Sequence, residues 1–125
     1  MQGLNDFYQS TDWQASEQSL SCKLVFEPTH PIFQGHFPGH PVVPGVVSIA
    51  IVRELLEKAL GYQLDLVQAS TVKFLALMGP DHQPDVTIQW KLLDDGIQAS
   101  AMLVDGTQNV LKMNAVYRKS ETAIV

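Results

Sequence analysis

The chain has 125 residues, of which 46% are hydrophobic and 17% are charged. This length and apolar content suit one globular domain over residues 1–125 with a single core, and they leave too little chain for a second domain. The formal net charge of -5 at pH 7 provides no basic surface for a nucleic acid, so we expect no nucleic-acid partner.

The longest apolar run, residues 42–52, is interrupted by Pro44 and Ser48 and is too short to cross a bilayer. Residues 1–15 contain neither the basic segment nor the apolar segment of a secretory signal. We therefore expect a soluble, cytoplasmic protein with no membrane partner. Cys22 is the single cysteine, which excludes an intrachain disulfide and argues against a thiolate zinc site. Its alternating neighbourhood indicates a small apolar filler in a strand.

The first clear element is a strand over residues 20–26, where apolar residues at every second position are typical of a half-buried strand. Residues 1–19 before it are expected to form a short helix or an edge strand. Residues 31–45 then hold four of the seven prolines and three of the eight glycines, a density that excludes regular helix or central strand. We interpret this stretch as a rigid loop.

A helix follows the loop. Pro44 is suited to its first position, because the missing N–H would be unpaired there anyway, and Gly61 is suited to end it after Leu60. The first half is apolar all round, which predicts that it is buried on every side. Charged residues from Arg53 to Lys58 predict that the second half emerges into solvent.

The remaining chain has the pattern of an antiparallel meander. Strands are predicted over residues 66–78, with a possible bulge, and over residues 86–92, 97–104 and 111–118, with turns at residues 94–96 and 105–106. One long helix against one antiparallel sheet is an α+β architecture in which the sheet wraps the helix. Such a sheet has an edge that a second copy of the chain could cover.

Among the four histidines, His36 has the most suggestive position, in the proline-rich loop just before an apolar helix. The first N–H groups of that helix, from Gly45 onward, have no intrahelical acceptor and can hold an oxyanion. A carbonyl bound there is polarised, and a neutral imidazole nearby can remove a proton from the carbon next to it. Loops of this composition also serve simply as turns. For His30, His40 and His82 a structural or solvated role is expected.

A metal site is not expected. The spacing of His36 and His40 would suit a metal ion only on a helix, and Phe37-Pro38-Gly39 between them excludes a helix.

The string His36-Phe37-Pro38, then Pro41, then Pro44-Gly45-Val46, resembles the 3-hydroxyacyl-acyl-carrier-protein dehydratase family, and the preceding residues 31–35 fit it as well. The resemblance continues more loosely over residues 20–119. It implies a hot-dog fold, in which an antiparallel sheet wraps one long central helix, and a homodimer with active sites at the interface.

The resemblance also assigns roles. It makes His36 the base that takes the C2 proton of a 3-hydroxyacyl thioester, Gly45 the residue whose N–H polarises the thioester carbonyl, and Phe37, Pro38 and Val46 further substrate contacts. The product would be the trans-2-enoyl thioester, in fatty-acid or related polyketide- or pigment-type biosynthesis. The substrate would come from acyl carrier protein or coenzyme A, and its own phosphopantetheine means that no separate cofactor is needed.

One position departs from the family pattern. The acidic residue expected fourteen positions after the histidine is replaced by Ala50. Glu54 is one helical turn further along the same face and is the predicted substitute acid, although an exposed helix charge is its ordinary role. Two alternatives therefore stay open: an acyl thioesterase on the same fold, or an impaired acyl-binding subunit completed by a homologue that carries the acid.

Overall fold

The computed structural model of the protein describes residues 4–34 and 39–121. One α-helix lies against a six-stranded antiparallel sheet with the strand order β1-β2-β4-β5-β6-β3. The elements are β1 (Tyr8–Ala15), β2 (Ser19–Phe26), a short 3-10 helix (Pro31–Gln34), α1 (Gly45–Leu60), β3 (Leu64–Phe74), β4 (Asp85–Leu93), β5 (Gly96–Asp105) and β6 (Gln108–Lys119). This is the predicted α+β architecture.

The N-terminal segment forms β1, so the edge-strand alternative for residues 1–19 is confirmed. Its pairing with β2 shifts between Thr11 and Gln14, and Asp12 between them has a φ of 54°. Such a bulge on an edge strand interrupts the ladder that another chain could extend.

The helix begins one residue later than predicted, because Pro44 has an extended ψ of 146° and serves as the N-cap. Its C-terminal end is as predicted. Gly61 has a left-handed φ of 86°, and its N–H donates to the carbonyl of Glu57 at 2.8 Å. Glycine adopts this conformation at little cost, which explains why the helix ends there.

The prediction that the first half of α1 is buried on all sides is wrong for the single chain. Val46 is 68% exposed, and Ile49 and Ala50 are only half-buried. A helix that is apolar on all sides is expected to avoid water on all sides. The sheet of one chain, however, covers only one side of it. The second half also remains anchored, since Leu55 and Leu56 are buried.

The core lies between the buried side of α1 and the inner face of the sheet. Strands β2, β4, β5 and β6 bury alternate residues, as their period-two patterns predict. Two details differ: Leu92 is exposed at the end of β4, and the turn after β5 falls on Gly106 and Thr107. Within the described ranges, no helix is long and apolar enough to span a membrane.

Strand β3 is shorter than predicted and lies at the edge opposite β1. Its pairing with β6 is irregular at two places, so the predicted bulge is confirmed. Residues 75–78 leave the strand and return toward the loop before the helix, where the N–H of Val43 donates to the carbonyl of Met78 at 2.8 Å. This edge therefore comes close to the start of α1.

Candidate active site

Three of the predicted site residues, His36, Phe37 and Pro38, lie outside the described residues. The structure describes the chain on either side of them, up to Gln34 and again from Gly39. The candidate site is therefore built from the two anchored ends of the loop and from the helix that follows.

The N-terminal end of the loop rests on aromatic packing. Phe33 in the 3-10 helix is buried, and its ring centroid lies 5.0 Å from that of Phe7 and 6.0 Å from that of Phe26. Rings at these separations attract beyond the burial of their area. The chain therefore enters the loop from a fixed point in the core.

The C-terminal end is held by the turn between β3 and β4. The N–H of Gly79 donates to Nδ1 of His82 at 2.7 Å, and the amide of His82 donates back to the carbonyl of Gly79. A side chain at Gly79 would contact the carbonyl of Pro41 at 3.5 Å, so this turn lies against the loop. His82 is thus a structural histidine, and His40 is exposed, as the sequence indicates.

Within the described chain, the first turn of α1 has two unpaired backbone donors. The amides of Val47 and Ser48 donate to the carbonyl of Pro44 at 3.0 and 3.1 Å, whereas no acceptor in the described ranges reaches the amide of Gly45 or Val46. These two N–H groups lie at the positive end of the helix dipole. They are suited to bind a carbonyl oxygen that gains negative charge.

A small apolar cavity of about 180 Å³ lies beside this helix end. Gly45 and Ser48 line it from the helix, Val43 from the loop, Phe74 from the end of β3, and Leu77 from the segment that follows β3. The ring of Phe74 would come within 2.9 Å of a Cβ at Gly45. Because glycine has no side chain, the ring can lie directly over the first residue of the helix.

Ser48 is a site residue that the sequence reasoning did not select. It is 4% exposed and is the one buried polar residue within the described ranges. A single serine in the apolar run of residues 46–52 is a signal that could have identified it. Its position gives the otherwise apolar cavity a hydroxyl group.

Ala50 does not share this cavity. Two residues along a helix correspond to about 200° of rotation, so Ala50 and Ser48 are on nearly opposite sides of α1. Ala50 lies instead on the half-exposed side with Val46 and Ile49. A side chain at position 50 would therefore project away from the cavity.

In the structure, Glu54 contacts the N-terminal segment, a contact that the sequence did not predict. Its carboxylate accepts the amide of Leu4 and the hydroxyl of Tyr8, both at 2.9 Å. Burial, followed by the charge of Glu54, raises the pKa of Tyr8 above its usual range, so the hydroxyl stays protonated and donates. Glu54 is about 13 Å along the axis from Gly45 and on the opposite side of the helix. Glu54 therefore holds the N-terminal segment, and its role as the acid stays a prediction.

Cys22 is not among the residues that line the cavity. Cys22 is buried in β2, and burial raises the pKa of its thiol to about 11, so the thiol stays protonated at neutral pH. The prediction that Cys22 is a core residue is confirmed. Within residues 4–34 and 39–121, no three metal-ligating side chains of His, Cys, Asp or Glu converge.

Comparison with known proteins identifies the family. The model described as ApeI-like, ApeI dehydratase, matches residues 12–109, which is more than half of the chain. The chain belongs to this dehydratase family. The resemblance inferred from residues 31–46 is thereby confirmed.

Curated relatives agree with the assignment. The chain is 34% identical over 101 residues to a protein named 3-hydroxyacyl-[acyl-carrier-protein] dehydratase FabZ from Anaeromyxobacter sp. (strain Fw109-5), covering 76% of the chain and 55% of that protein. It is 38% identical over 56 residues to a protein of the same name from Campylobacter curvus (strain 525.92), covering 45% of the chain and 28% of that protein. The chain thus spans about half or less of the length of these relatives.

A solved structure supports the fold. The dehydratase heterocomplex ApeI:P from Xenorhabdus doucetiae contains a chain that superposes with a TM-score of 0.75 and 21% identity, covering 90% of this chain and 98% of that one. At this identity the likeness concerns the fold alone. Together with the one helix and six antiparallel strands, it confirms the hot-dog fold.

Proposed function

We propose that the protein dehydrates a 3-hydroxyacyl thioester to the trans-2-enoyl thioester, as part of fatty-acid or related polyketide- or pigment-type biosynthesis. The observation that carries the proposal is the first turn of α1, where the amides of Gly45 and Val46 are free of acceptors in the described chain beside an apolar cavity. Membership of the dehydratase family supports the same reaction.

In the proposed reaction, the thioester carbonyl accepts a hydrogen bond at the start of α1, which stabilises the charge that develops on its oxygen. His36 removes a proton from C2. The C2–H electron pair forms the C2=C3 double bond, and the C3–O bond breaks. The leaving hydroxyl takes up a proton and departs as water, so the thioester itself remains intact.

Ala50 has no acidic group, so in the proposed reaction a group at another position must protonate the leaving hydroxyl. General acid catalysis typically contributes about 10²–10⁴-fold, so its absence would leave a weakened enzyme. Since Ala50 lies on the half-exposed side of α1, we propose that the site is completed in an oligomer. A homodimer is the first candidate.

The second candidate is a complex with a homologous subunit that carries the acid. The specific observation in its favour is that Ala50 lies on the half-exposed side of α1, and the Xenorhabdus structure with the same fold is itself a heterocomplex. In that arrangement this chain contributes His36 and the carbonyl-binding helix end, and its partner contributes the carboxylic acid.

We propose that the substrate is presented on acyl carrier protein or coenzyme A, since either supplies the phosphopantetheine arm. Among the basic residues that could meet an acidic carrier, we propose Lys73, which is exposed and lies on the same strand as Phe74, a residue that lines the cavity. Lys58 is already engaged: its ammonium lies 4.4 Å from the Trp13 ring and donates to Ser10.

The proposed base is tested with His36→Ala. The protein is incubated with 3-hydroxyacyl thioesters, and the enoyl thioester and free thiol are both measured. We expect enoyl product without thiol release, and a loss of at least about 10²-fold in kcat for the variant. His40→Ala, at an exposed histidine of the same loop, is the matched control and should retain activity. Thiol release without enoyl product would instead establish a thioesterase.

The missing acid is tested with Ala50→Glu. If the chain forms its own site in a homodimer, the new carboxyl group should raise kcat by about 10-fold or more, as a positioned general acid does. Ala50→Gln has nearly the same size and no acidic proton, and serves as the control. If only addition of an acid-bearing homologue raises the rate, the second candidate holds. No gain under either condition would contradict both.

A further inference from the structure

The imidazole of His30 closes the turn from which the His36 loop starts. Its Nδ1 accepts the amide of Ile32 at 3.1 Å, and its Nε2 lies 3.3 Å from Oδ1 of Asp6. The side chain is 15% exposed, and its ring packs edge-on against Phe7 with a centroid separation of 5.1 Å. Packing and two polar contacts therefore fix both the position and the rotation of this ring.

These contacts specify a single neutral tautomer. Because Nδ1 accepts an N–H, the ring proton must reside on Nε2, where it donates to the carboxylate of Asp6. Asp6 from the N-terminal segment faces this histidine, and Glu27 lies nearby with a pKa that is lowered mainly by hydrogen bonds from Thr29. Asp6 thus selects the tautomer that keeps the Nδ1 lone pair available to Ile32.

The backbone of the same residue completes the turn. The amide of His30 donates to the carbonyl of Glu27 at 3.1 Å, and the amide of Phe33 donates to the carbonyl of His30 at 3.1 Å. The side chain and backbone of one residue therefore define the path from Glu27 to Phe33. Without the Nδ1 acceptor, the Ile32 amide in this partly buried position would lack its partner, which disfavours the turn.

The turn controls where the loop begins. Gln34 ends the 3-10 helix, and His36 follows it two residues later in the chain. A displacement of Gln34 is therefore passed on to the region that His36 can reach. A misplacement of about 1 Å in a reacting group can reduce the rate about 10²-fold.

We propose that His30 is a positioning residue for the dehydration reaction: it acts through its Nδ1 acceptor and its Asp6-selected tautomer to set the start of the loop that carries His36. The catalytic consequence rests on the proposed function, whereas the anchoring of the turn does not. This role differs from simple burial, because it depends on one ring nitrogen.

Two substitutions test the roles of the two ring nitrogens of His30 separately. In His30→Asn, the side-chain oxygen can replace Nδ1, since asparagine accepts the amide two residues on in an Asx-turn, but the reach to Asp6 is lost. In His30→Gln, the longer amide can reach Asp6 but does not provide the short-range acceptor. We expect His30→Asn to retain kcat within about threefold, and His30→Gln to lose about 10- to 100-fold in kcat with KM little changed.

A second set of measurements tests, without any substrate, whether His30 anchors the turn. Ring ¹⁵N chemical shifts should show the Nε2–H tautomer of His30 in the wild type. Amide exchange at Ile32 should be slow in the wild type and in His30→Asn, and fast in His30→Gln. His40→Asn and His40→Gln, at the exposed histidine, should change neither exchange at Ile32 nor kcat.

Thermal unfolding identifies the folded variants, and Asp6→Asn, at a mostly exposed carboxylate, provides a substitution that does not threaten folding. In Asp6→Asn, the Nε2–H tautomer should lose population. Equal kcat and equal Ile32 exchange in the Asn and Gln variants would overturn the proposal, as would an Nδ1–H tautomer in the wild type. If the wild type has no dehydratase activity, the proposed function is contradicted. The tautomer of His30 and the amide exchange at Ile32 would still show whether His30 anchors the turn.

Discussion

The carboxylate of Glu54 joins residues that are far apart in the chain, since its partners Leu4 and Tyr8 are 50 and 46 positions away. Both contacts are partly buried. Loss of the carboxylate would leave a backbone amide and a hydroxyl without an acceptor, which costs more than the contacts themselves contribute. At the scale of the single residue, Glu54 fastens the N-terminal segment to the helix.

We expect Glu54→Ala to lower the free energy of unfolding by about 1–3 kcal/mol, and Tyr8→Phe to lower it by about 1 kcal/mol. Urea denaturation measures both, and the double variant should show coupling because the two side chains contact each other. Glu17→Ala, at an exposed carboxylate, is the control and should change stability by less than about 0.5 kcal/mol. Normal stability with a large loss of kcat in Glu54→Ala would instead support the catalytic role.

His30 and His82 show how a histidine that is unremarkable in sequence becomes specific in structure. In both, Nδ1 accepts a nearby backbone amide while Nε2 faces an aspartate, Asp6 in one case and Asp105 at 3.8 Å in the other. One lies before the His36 loop and the other supports the turn that packs against its end. The loop is therefore held on both sides.

At the scale of the elements, the meeting of α1 with β3 shapes the candidate site. Gly45 begins the helix, and Phe74, the last residue of β3, covers it with an aromatic ring. Phe74 is 55% exposed, so its ring has room to move when pressed. The cavity beside Ser48 therefore depends on the size of both residues.

Gly45→Ala is expected to push the Phe74 ring away from the helix, since the new Cβ would lie 2.9 Å from it. Overpacking typically lowers the free energy of unfolding by about 1–3 kcal/mol. We expect a loss toward the lower end of this range, because the exposed ring can move aside. Phe74→Leu should offset part of the loss in the double variant. Urea denaturation of both single variants and of the double variant measures this coupling, and strictly additive changes would contradict the contact.

At the scale of the whole molecule, exposed apolar groups occur on α1 and on the edge strand β3. Val46 on α1 and Leu66, Val67 and Phe74 on β3 are all exposed, and β3 is an edge strand. Exposed apolar groups along an unpaired edge are typical of an interface. Ala50 lies one helical turn from Val46 on the same side of α1, so the proposed assembly and the proposed source of the missing acid concern the same part of the helix.

If Val46 is covered in the proposed dimer, we expect Val46→Arg to weaken self-association, because a charge would have to be desolvated in place of an apolar side chain. Light scattering after size exclusion should show dimers for the wild type and a larger monomer fraction for the variant. Leu92→Arg is a matched control, since Leu92 is equally exposed at 68% but lies at the end of β4. A wild type that is monomeric at all concentrations would contradict the homodimer and favour the acid-bearing partner.

The sequence by itself determined the architecture and the position of the helix end that forms the site. Period-two burial marked β2, β4, β5 and β6, Gly61 marked the end of α1, and the proline-rich stretch marked the loop. These features are local: they depend on the alternation of side chains and on the backbone preferences of glycine and proline. For the same reason the loop pattern indicates Gly45 directly, whereas Ser48 stands out only as a polar interruption of an apolar run.

Only the tertiary structure decided which residues meet across the chain. Glu54 contacts the N-terminal segment, His30 contacts Asp6, and Phe74 covers Gly45, and no local pattern encodes these pairs. The sequence did not predict that one side of α1 is exposed, because hydrophobicity indicates that a surface avoids water but does not indicate what covers it. In this protein that distinction matters most at Val46 and Ala50, where the apolar sequence predicted a closed core and the fold leaves Val46 exposed and Ala50 half-buried.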